Sequence, residues 1–265
     1  MTKIVSWNVN SIRVRLPHLI ELSKNVKPDV IMLQETKSTD DNFPNDEIER
    51  LGYKIIKKGQ KSYNGVAILS KLEMELLTDR LPGDNNDEQA RYLEVIIKDK
   101  IPFQVASIYL PNGNPIDTDK FPYKLDWMRR LKKHVKKKIE EHETIIFGGD
   151  YNIIPSSEDA IDINKWKNDA LHHPESIKLY REIVNQGLSD ILRVFNSKSY
   201  EFTYWDYSRG SWEKDNGLRI DHFLASPSAV DRIYDCQIEK KFRGLERPSD
   251  CLLYTSDAAD DMQCV

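Results

Sequence analysis

A short apolar run that ends in two glycines constrains the fold of this chain more than any other stretch. Residues 145–147 have the composition of a buried strand, and Gly148 and Gly149 let the backbone turn tightly or approach a ligand closely. Asp150 and Asn152 follow, so a carboxylate and a carboxamide stand at the carboxyl end of a strand, where α/β sheets commonly bind ligands. The alternative is an Asx-type turn in which both side chains bond only local backbone.

Length and composition favour one intracellular domain. The sequence has 265 residues, enough for a large α/β domain, and no Gly/Ser/Pro-rich linker divides it. No apolar run approaches a membrane span, and a strand pattern begins at Lys3 without the features of a secretion signal. The cysteines, at 236, 251 and 264, form neither a disulfide framework nor a zinc spacing. We therefore expect a cytoplasmic protein without a membrane partner.

Strand-like and helical segments alternate irregularly along the chain. The strand-like runs are 3–7, 29–34, 53–58, 65–69, 73–78, 91–97, 102–109, 144–148, 202–205, 219–225 and 235–239. The helical patterns are 12–25, 46–51, 118–141 and 175–186. Because hairpins in the middle are combined with helices between other strands, a simple βαβ series is excluded. The pattern predicts an α/β fold of two mixed β-sheets packed face to face with helices outside.

Charge gives no general sign of nucleic-acid binding, since the formal net charge is -4. The segment from Lys132 to Lys138 is densely basic and falls within the predicted amphipathic helix 118–141. Such a basic face is more typical of solvation than of a binding site.

Two further predicted strands run into polar residues. The first ends at Asn8 and Asn10, and the second runs into Glu35 and Lys37. If these strands are neighbours, the carboxylate of Glu35 lies beside Asn8. Oxygen ligands without a His or Cys cluster suit a hard cation such as Mg²⁺ or Mn²⁺. For Glu35 alone, a surface ion pair with Lys37 is an equally good interpretation.

Aromatic residues add candidates for phosphate and nucleotide contacts. Tyr109 ends the strand 102–109 and is placed to donate to a phosphate oxygen, with Asn112 in the turn that follows; a half-buried structural tyrosine is the alternative. The run 202–207 contains Tyr204 and Trp205. Flat rings beside basic loops wedge into a duplex or hold an unstacked nucleotide, although aromatic clusters more commonly pack cores.

Together the motifs resemble the exonuclease III family of apurinic/apyrimidinic endonucleases, within the larger endonuclease/exonuclease/phosphatase superfamily. The motifs are Trp7-Asn8-Val9-Asn10, Gln34-Glu35-Thr36-Lys37, Tyr109-Leu110-Pro111-Asn112-Gly113, Gly149-Asp150-Tyr151-Asn152-Ile153-Ile154-Pro155, Gly217-Leu218-Arg219-Ile220-Asp221-His222 and Arg247-Pro248-Ser249-Asp250. Each motif is weak singly, but the ordered set is highly specific.

The resemblance implies a four-layer α/β sandwich over residues 1–250 and a divalent metal, Mg²⁺ or alternatively Mn²⁺. The positions matching the metal site and its water- and phosphate-handling neighbours are Asn8, Glu35, Asp150, Asn152 and Asp250. The positions matching catalytic roles are Tyr109, Asp150, Asn152 and Asp221, the last as the carboxylate that orients a catalytic histidine. The positions expected to bind substrate are Asn10, Asn112, Tyr204, Trp205, Leu218, Arg219 and Ile220.

In function, the resemblance implies a monomeric DNA repair nuclease that incises duplex DNA 5′ to abasic sites and degrades it 3′ to 5′ from its ends. One alternative is another phosphohydrolase of the superfamily, such as an inositol-phosphate phosphatase or a sphingomyelinase. Another is a non-catalytic protein that binds damaged DNA. The 217–221 signature and the aromatic run around Trp205 favour DNA.

The resemblance breaks after Asp250. The family pattern continues with a catalytic histidine, but this chain has Cys251 there, and a thiol is a weak donor. Residues 251–261 resemble the translation of a transposase adapter used in preparing sequencing libraries. We therefore expect residues 251–265 to be a non-native tail, the final strand to be lost or replaced, and activity to be impaired. A genuine divergent terminus is the alternative.

Overall fold

The computed structural model describes residues 2–207, 210–240, 242, 249 and, as the backbone of one strand, 253–258. The strands are β1 (Thr2–Asn8), β2 (Val30–Gln34), β3 (Lys54–Lys58), β4 (Val66–Ser70), β5 (Glu73–Thr78), β6 (Tyr92–Lys98), β7 (Phe103–Tyr109), β8 (Ile145–Asp150), β9 (Ser189–Asp190), β10 (Asp221–Ala225), β11 (Ile233–Glu239) and β12 (Leu253–Ala258). The helices are α1 (Ile12–Asn25), α2 (Asn45–Glu49), α3 (Lys120–Glu140), α4 (Pro174–Val184), α5 (Ile191–Phe195) and α6 (Pro227–Val230).

These strands form two mixed sheets. The order is β11-β12-β1-β2-β4-β3 in the first and β5-β6-β7-β8-β10-β9 in the second. Each sheet holds one parallel pair, β1 with β2 and β7 with β8, whereas the other neighbours are antiparallel. Because parallel strands end at the same edge, Asn8 lies opposite Gln34 and Tyr109 opposite Asp150. The fold thus brings the polar strand ends together in pairs.

Apolar side chains build separate cores on both faces of each sheet. Met32 and Phe223 belong to the core between the sheets. Leu22 packs with Leu33 where α1 covers the first sheet, and Met128 belongs to the core where α3 covers the second. Two helical layers therefore enclose two sheets, and the predicted four-layer α/β sandwich is confirmed.

The two glycines of β8 are required by close packing. A Cβ on Gly148 would collide with Met32 and Phe223, and a Cβ on Gly149, whose φ is 151°, would collide with the backbone of Ile108. Their role is therefore to let strand and sheet neighbours approach, rather than to form a turn, since β8 continues to Asp150.

The structure differs from the predicted elements in several places. β9, α5 and α6 have no counterpart among the predicted segments. Residues 202–205 do not form a ladder strand; Tyr204 makes only an isolated bridge to Leu218. Near the carboxyl terminus, β12 pairs antiparallel with both β1 and β11, in the place where a final strand is expected. Backbone hydrogen bonds specify this pairing, so many side-chain sequences satisfy it.

The basic segment of α3 is compensated by acidic partners. Lys136 and Lys137 pair with glutamates four residues on, and Lys132 reaches Glu182 at 2.8 Å. This arrangement is that of a solvated helix face. Along the stretches of chain that the structure describes, no helix has both the length and the apolar character needed to cross a membrane.

Candidate active site

A cavity of about 240 Å³ opens at the edge where the two parallel pairs end. The predicted site residues that line it are Asn8, Glu35, Tyr109, Asn112, Asp150, Asn152, Tyr204, Leu218 and Ile220. Both sheets contribute, because β1 and β2 supply one wall and β7 and β8 the other. The structure therefore assembles in one cavity residues that lie far apart in the sequence.

Asn8 joins the two carboxylates of the cavity. Its Nδ2 donates to Glu35 Oε1 at 2.9 Å and to Asp150 Oδ2 at 3.0 Å, while its Oδ1 accepts the backbone N–H of Asn10 at 3.0 Å. One carboxylate comes from each sheet, and both converge on a single neutral amide. The cluster is therefore rich in oxygen atoms and in negative charge.

Four non-glycine residues around this cluster adopt left-handed backbone conformations. The φ values are 44° at Asn10, 51° at Glu35, 49° at Lys37 and 47° at Asn152. Such conformations cost free energy for residues with a Cβ, and they concentrate where surrounding contacts fix a functional geometry. Here they turn the chain immediately after three of the four strands that end at the cavity.

Glu35 is an ionised carboxylate. Burial opposes its ionisation, but hydrogen bonds from Asn8 and Lys37, together with the charge of Lys37, outweigh burial and lower its pKa. Lys37 Nζ lies 2.9 Å from Glu35 Oε2 and also donates to Asn10 Oδ1 at 2.5 Å. The ion pair with Lys37 and a place in the cluster, posed as alternatives by the sequence, occur together.

Tyr109 is a neutral donor at the same place. Burial, followed by the negative charges of Glu35 and Asp150, raises its pKa well above the usual value. The guanidinium of Arg91 stacks over its ring, 4.7 Å from the centroid, and fixes the ring plane. Its hydroxyl hydrogen-bonds Glu35 and stays protonated across the physiological pH range.

Asp150 and Asn152 also form the local turn that the sequence offered as an alternative. The backbone N–H of Asn152 donates to Asp150 Oδ1 at 2.8 Å, which leaves Asp150 Oδ2 for Asn8. The Asn152 side chain donates to the carbonyl of Leu110 at 3.0 Å and accepts from Asn112 Nδ2 at 2.9 Å. The Asx turn is thus the means by which both side chains are aimed at the cavity.

A buried lysine lies behind this turn. Lys124 Nζ donates to the carbonyls of Asn152 and Asn112 at 2.7 and 3.1 Å. Burial lowers its pKa to about 7, although the charges of Asp169 and Asp150 act in the opposite direction. No sequence pattern distinguishes this residue, because Lys124 lies in a helix rich in exposed lysines.

Asp221 lies directly across the β10–β8 ladder from Asp150. It is buried, and its backbone N–H donates to Thr203 Oγ1 at 3.2 Å. Asp250 and Cys251 lie outside the described residues. Their neighbour Ser249 donates its hydroxyl to the carbonyl of Asn8 at 2.6 Å, so the chain reaches the end of β1 just before them.

Three predicted substrate contacts do not line the cavity. Trp205 is fully buried against Phe202 and Trp212, and Arg219 is buried in ion pairs with Asp159 and Asp190. A contact with DNA through either side chain would need exposure that packing denies. Asn10 lies beside the cavity, bonded to Lys37.

The cavity has a third wall that the sequence did not predict. Trp166, Asp169 and Leu171, from the long loop after β8, line it together with Asn114. Asn114 Nδ2 donates to Asp169 Oδ1 at 2.9 Å, which ties this loop to the one after β7. No strand-end pattern marks these residues, so only the lone tryptophan in a polar loop offered a signal.

The donor chemistry fits a hard divalent cation. Among the described residues, no group of three or more His, Cys, Asp and Glu side chains converges as a metal site. Glu35 and Asp150 instead converge on the amide of Asn8. Its Oδ1, which accepts the Asn10 N–H in the structure, would join the carboxylate oxygens if the amide turned over. Two carboxylates and an amide oxygen, without sulfur or imidazole, form a partial oxygen set of the kind that Mg²⁺ or Mn²⁺ completes with water.

Comparison with known proteins gives consistent matches across the chain. The model of the Endonuclease/Exonuclease/phosphatase family matches residues 5–252. Exodeoxyribonuclease III of Haemophilus influenzae is 34% identical over 94% of this chain and 96% of its own length. An AP endonuclease from Archaeoglobus fulgidus is 35% identical, with a TM-score of 0.92 over 97% of this chain and 99% of its own.

A further solved relative is a 3′ phosphatase from Neisseria bound to a product DNA hairpin. It is 32% identical, with a TM-score of 0.93 over 98% of this chain and all of its own. These matches confirm the resemblance to exonuclease III and the AP endonucleases that the ordered motifs indicated. The chain belongs to the Endonuclease/Exonuclease/phosphatase family, as a member of its exonuclease III branch.

Proposed function

We propose that this protein is a divalent-metal-dependent DNA repair nuclease that hydrolyses phosphodiesters 5′ to abasic sites and from the 3′ ends of duplex DNA. The observation that carries the proposal is the convergence of Asn8, Glu35 and Asp150 beside three neutral groups, on Tyr109, Asn112 and Asn152. Relatives named as an exodeoxyribonuclease III, an AP endonuclease and a 3′ phosphatase bound to DNA support it. We expect the protein to act as a monomer.

In this mechanism the attacking water is activated by Asp150. Its Oδ1 is held by the Asn152 N–H, and its Oδ2 faces the cavity beside Asn8, where it accepts a proton from water. Tyr109 donates to a non-bridging phosphate oxygen. Asn152 has a second side-chain N–H besides the one accepted by Leu110, and this donor stabilises the charge that grows on the phosphate.

The metal complements these groups. Asn8 and Glu35, with Asp150 adjacent and Asp250 expected to join them, would hold Mg²⁺ or Mn²⁺, which when bound neutralises charge on the phosphoryl and leaving 3′ oxygens. Tyr204, Leu218 and Ile220 line the part of the cavity that we assign to the abasic sugar. Trp166 adds an aromatic surface to this otherwise largely aliphatic wall.

Cys251 limits activity in the chain as written. The proposed role of Asp221 is to orient a histidine at position 251, and a thiol cannot replace imidazole as a donor to the phosphate. Loss of one such donor costs on the order of 10²- to 10³-fold in rate. We propose, in agreement with the adapter-like sequence, that residues 251–265 are not native.

The test is incision of a duplex with a single abasic site, by the chain and by its Cys251→His variant, with Mg²⁺ and with EDTA. We expect Mg²⁺-dependent cleavage on the 5′ side of the site, faster in the variant by about 10²-fold. Absence of metal-dependent incision by the variant contradicts the nuclease proposal. Tight binding to the abasic duplex without incision would instead support a binding-only protein, and hydrolysis of an inositol phosphate would support the other phosphohydrolase class.

A further inference from the structure

Lys124 is a fully buried residue of α3 that contacts the backbone of two loops whose side chains line the cavity. Its ammonium group donates one hydrogen bond to the carbonyl of Asn152 at 2.7 Å and another to the carbonyl of Asn112 at 3.1 Å. These carbonyls belong to the loops that follow β8 and β7. A single side chain therefore connects the backbones of the two loops that carry the neutral phosphate donors.

The same loops are also connected in front. Asn112 Nδ2 donates to Asn152 Oδ1 at 2.9 Å within the cavity. The aliphatic part of the Lys124 side chain packs against Gly113, whose φ is 88°. A Cβ at position 113 would lie only 2.6 Å from Lys124 Cδ. The turn and the lysine therefore fit each other closely, and displacement of one moves the other.

Burying an amine at this depth costs free energy unless hydrogen-bond acceptors compensate for the water that it loses. A methionine would fill the same space without desolvating a polar group, whereas a buried amine must find acceptors. Both acceptors are loop carbonyls at the site, and among the described residues neither accepts a backbone hydrogen bond from a helix or strand. The amine therefore stabilises the separation of these two loops in particular.

We propose that Lys124 is a positioning residue that sets the spacing between Asn112 and Asn152 and thereby the geometry of the phosphate donors. The role needs only its N–H donors and acts through the two asparagines, not through contact with DNA. This inference rests on the proposed nuclease function. A shift of about 1 Å in such donors is enough to cost on the order of 10²-fold in rate.

The same helix supplies a matched control. Lys138 is also largely buried, and its Nζ bonds Gln104 Oε1 at 2.8 Å and Glu94 Oε1 at 2.5 Å, on the face of the second sheet. It joins helix to sheet as Lys124 joins helix to loops, but none of its partners lines the cavity. Replacing either lysine by methionine removes two polar contacts and keeps an unbranched side chain that is one atom shorter.

The experiment compares K124M and K138M in the full chain carrying Cys251→His, using the abasic duplex and measuring kcat, KM and the thermal midpoint. We expect both variants to melt at lower temperature, but only K124M to lose kcat, by about 10²-fold, with KM changed less than about threefold. Because Lys124 acts through Asn112, the K124M/N112A double variant loses less than the product of the two single losses.

A parent-like kcat in folded K124M, or equal kcat losses in K124M and K138M, would overturn the proposal. Independent, multiplicative losses in the double variant would overturn it as well. If K124M does not fold, K124Q takes its place: its shorter amide cannot span both carbonyls, so the same loss of kcat is expected and a parent-like kcat is the contrary result. An inactive Cys251→His parent would count against the nuclease function instead.

Discussion

Two clusters of polar and charged residues lie beside the segment that leads into β10, and they differ in charge balance. We call Asn8, Glu35, Asp150 and Asn152 the site cluster, and Asp159, Asp190, Arg193, Arg219 and His222 the ion network. The site cluster faces a cavity with two carboxylates and one flanking lysine. The ion network is closed around two arginines and two aspartates.

Short ion pairs between arginines and aspartates hold the ion network together, although Asp190 Oδ1 has no hydrogen-bond partner among the described residues. Arg219 donates to Asp159 Oδ1 at 2.6 Å and to Asp190 Oδ2 at 2.7 Å, and Arg193 also reaches Asp159 Oδ1 at 2.6 Å. The network holds Arg219 in the extended segment before β10, where the flanking residues Leu218 and Ile220 line the cavity. Residue type and burial alone therefore do not identify a site; an excess of one charge beside a cavity does.

The largest effect that separates the two clusters is expected from Asp150→Asn. The amide keeps the size of the side chain but cannot accept the proton of the attacking water, so kcat should fall by about 10³-fold. Stability should be unchanged or slightly higher, because the variant removes one of two neighbouring negative charges. Initial rates on the abasic duplex and a thermal melt test both halves; a rate within tenfold of the parent would assign Asp150 to the turn alone.

Asp159→Asn should have the opposite profile. The substitution removes the buried counterion of Arg193 and Arg219, which lowers the free energy of unfolding by about 3–4 kcal/mol. Among molecules that remain folded, kcat should stay within a few-fold of the parent, because Asp159 does not line the cavity. Urea unfolding together with active-site titration separates these quantities; a large loss of kcat without loss of stability would place the network in catalysis.

The sequence predicted the site better where the chain is regular. Asn8, Glu35, Tyr109 and Asp150 could be found because each follows a recognisable apolar strand, and parallel strands end at one edge. Trp166, Asp169 and Leu171 could not, because a long loop has no periodicity that fixes where its side chains lie. Position in the fold, rather than residue type, separated the two sets.

Neighbouring residues show the same limit at finer scale. Tyr204 lines the cavity and Trp205 is fully buried, although both belong to one aromatic run. Leu218 and Ile220 alternate with Arg219 in the same way, since successive side chains of an extended segment point to opposite sides. The motif located a segment that reaches the cavity, but the face that each residue presents depends on tertiary packing, which a single sequence does not specify.

The smallest expected effect, and a different way to test the ion network, is its response to acid. His222 is buried beside Tyr151 and Tyr180, accepts from Arg219 Nη1 through Nδ1 at 3.1 Å and donates from Nε2 to the carbonyl of Ile153 at 3.1 Å. Burial, then the positive charge of Arg219, lowers its pKa from 6.5 to about 4, although Asp190 and Asp159 oppose this. The neutral ring is therefore the form that the network requires.

The sign of the pH dependence follows from this difference. Between pH 6.5 and about 4 the unfolded chain binds a proton at His222 that the folded chain does not. The free energy of unfolding therefore decreases as pH falls, by up to about 3 kcal/mol. Burial opposes the ionisation of Asp159, but the charge and hydrogen bonds of Arg219 outweigh burial and lower the pKa of Asp159 to about 2. Asp159 therefore adds a further loss of stability only below its usual pKa of 3.8.

His222→Gln keeps one donor and one acceptor without titrating, so its urea midpoint should change less over pH 6.5 to 4 than that of the parent. His142→Gln, in an exposed turn, is the control and should leave the parent slope unchanged; equal slopes in all three proteins would show that the ring of His222 is not held neutral by the network.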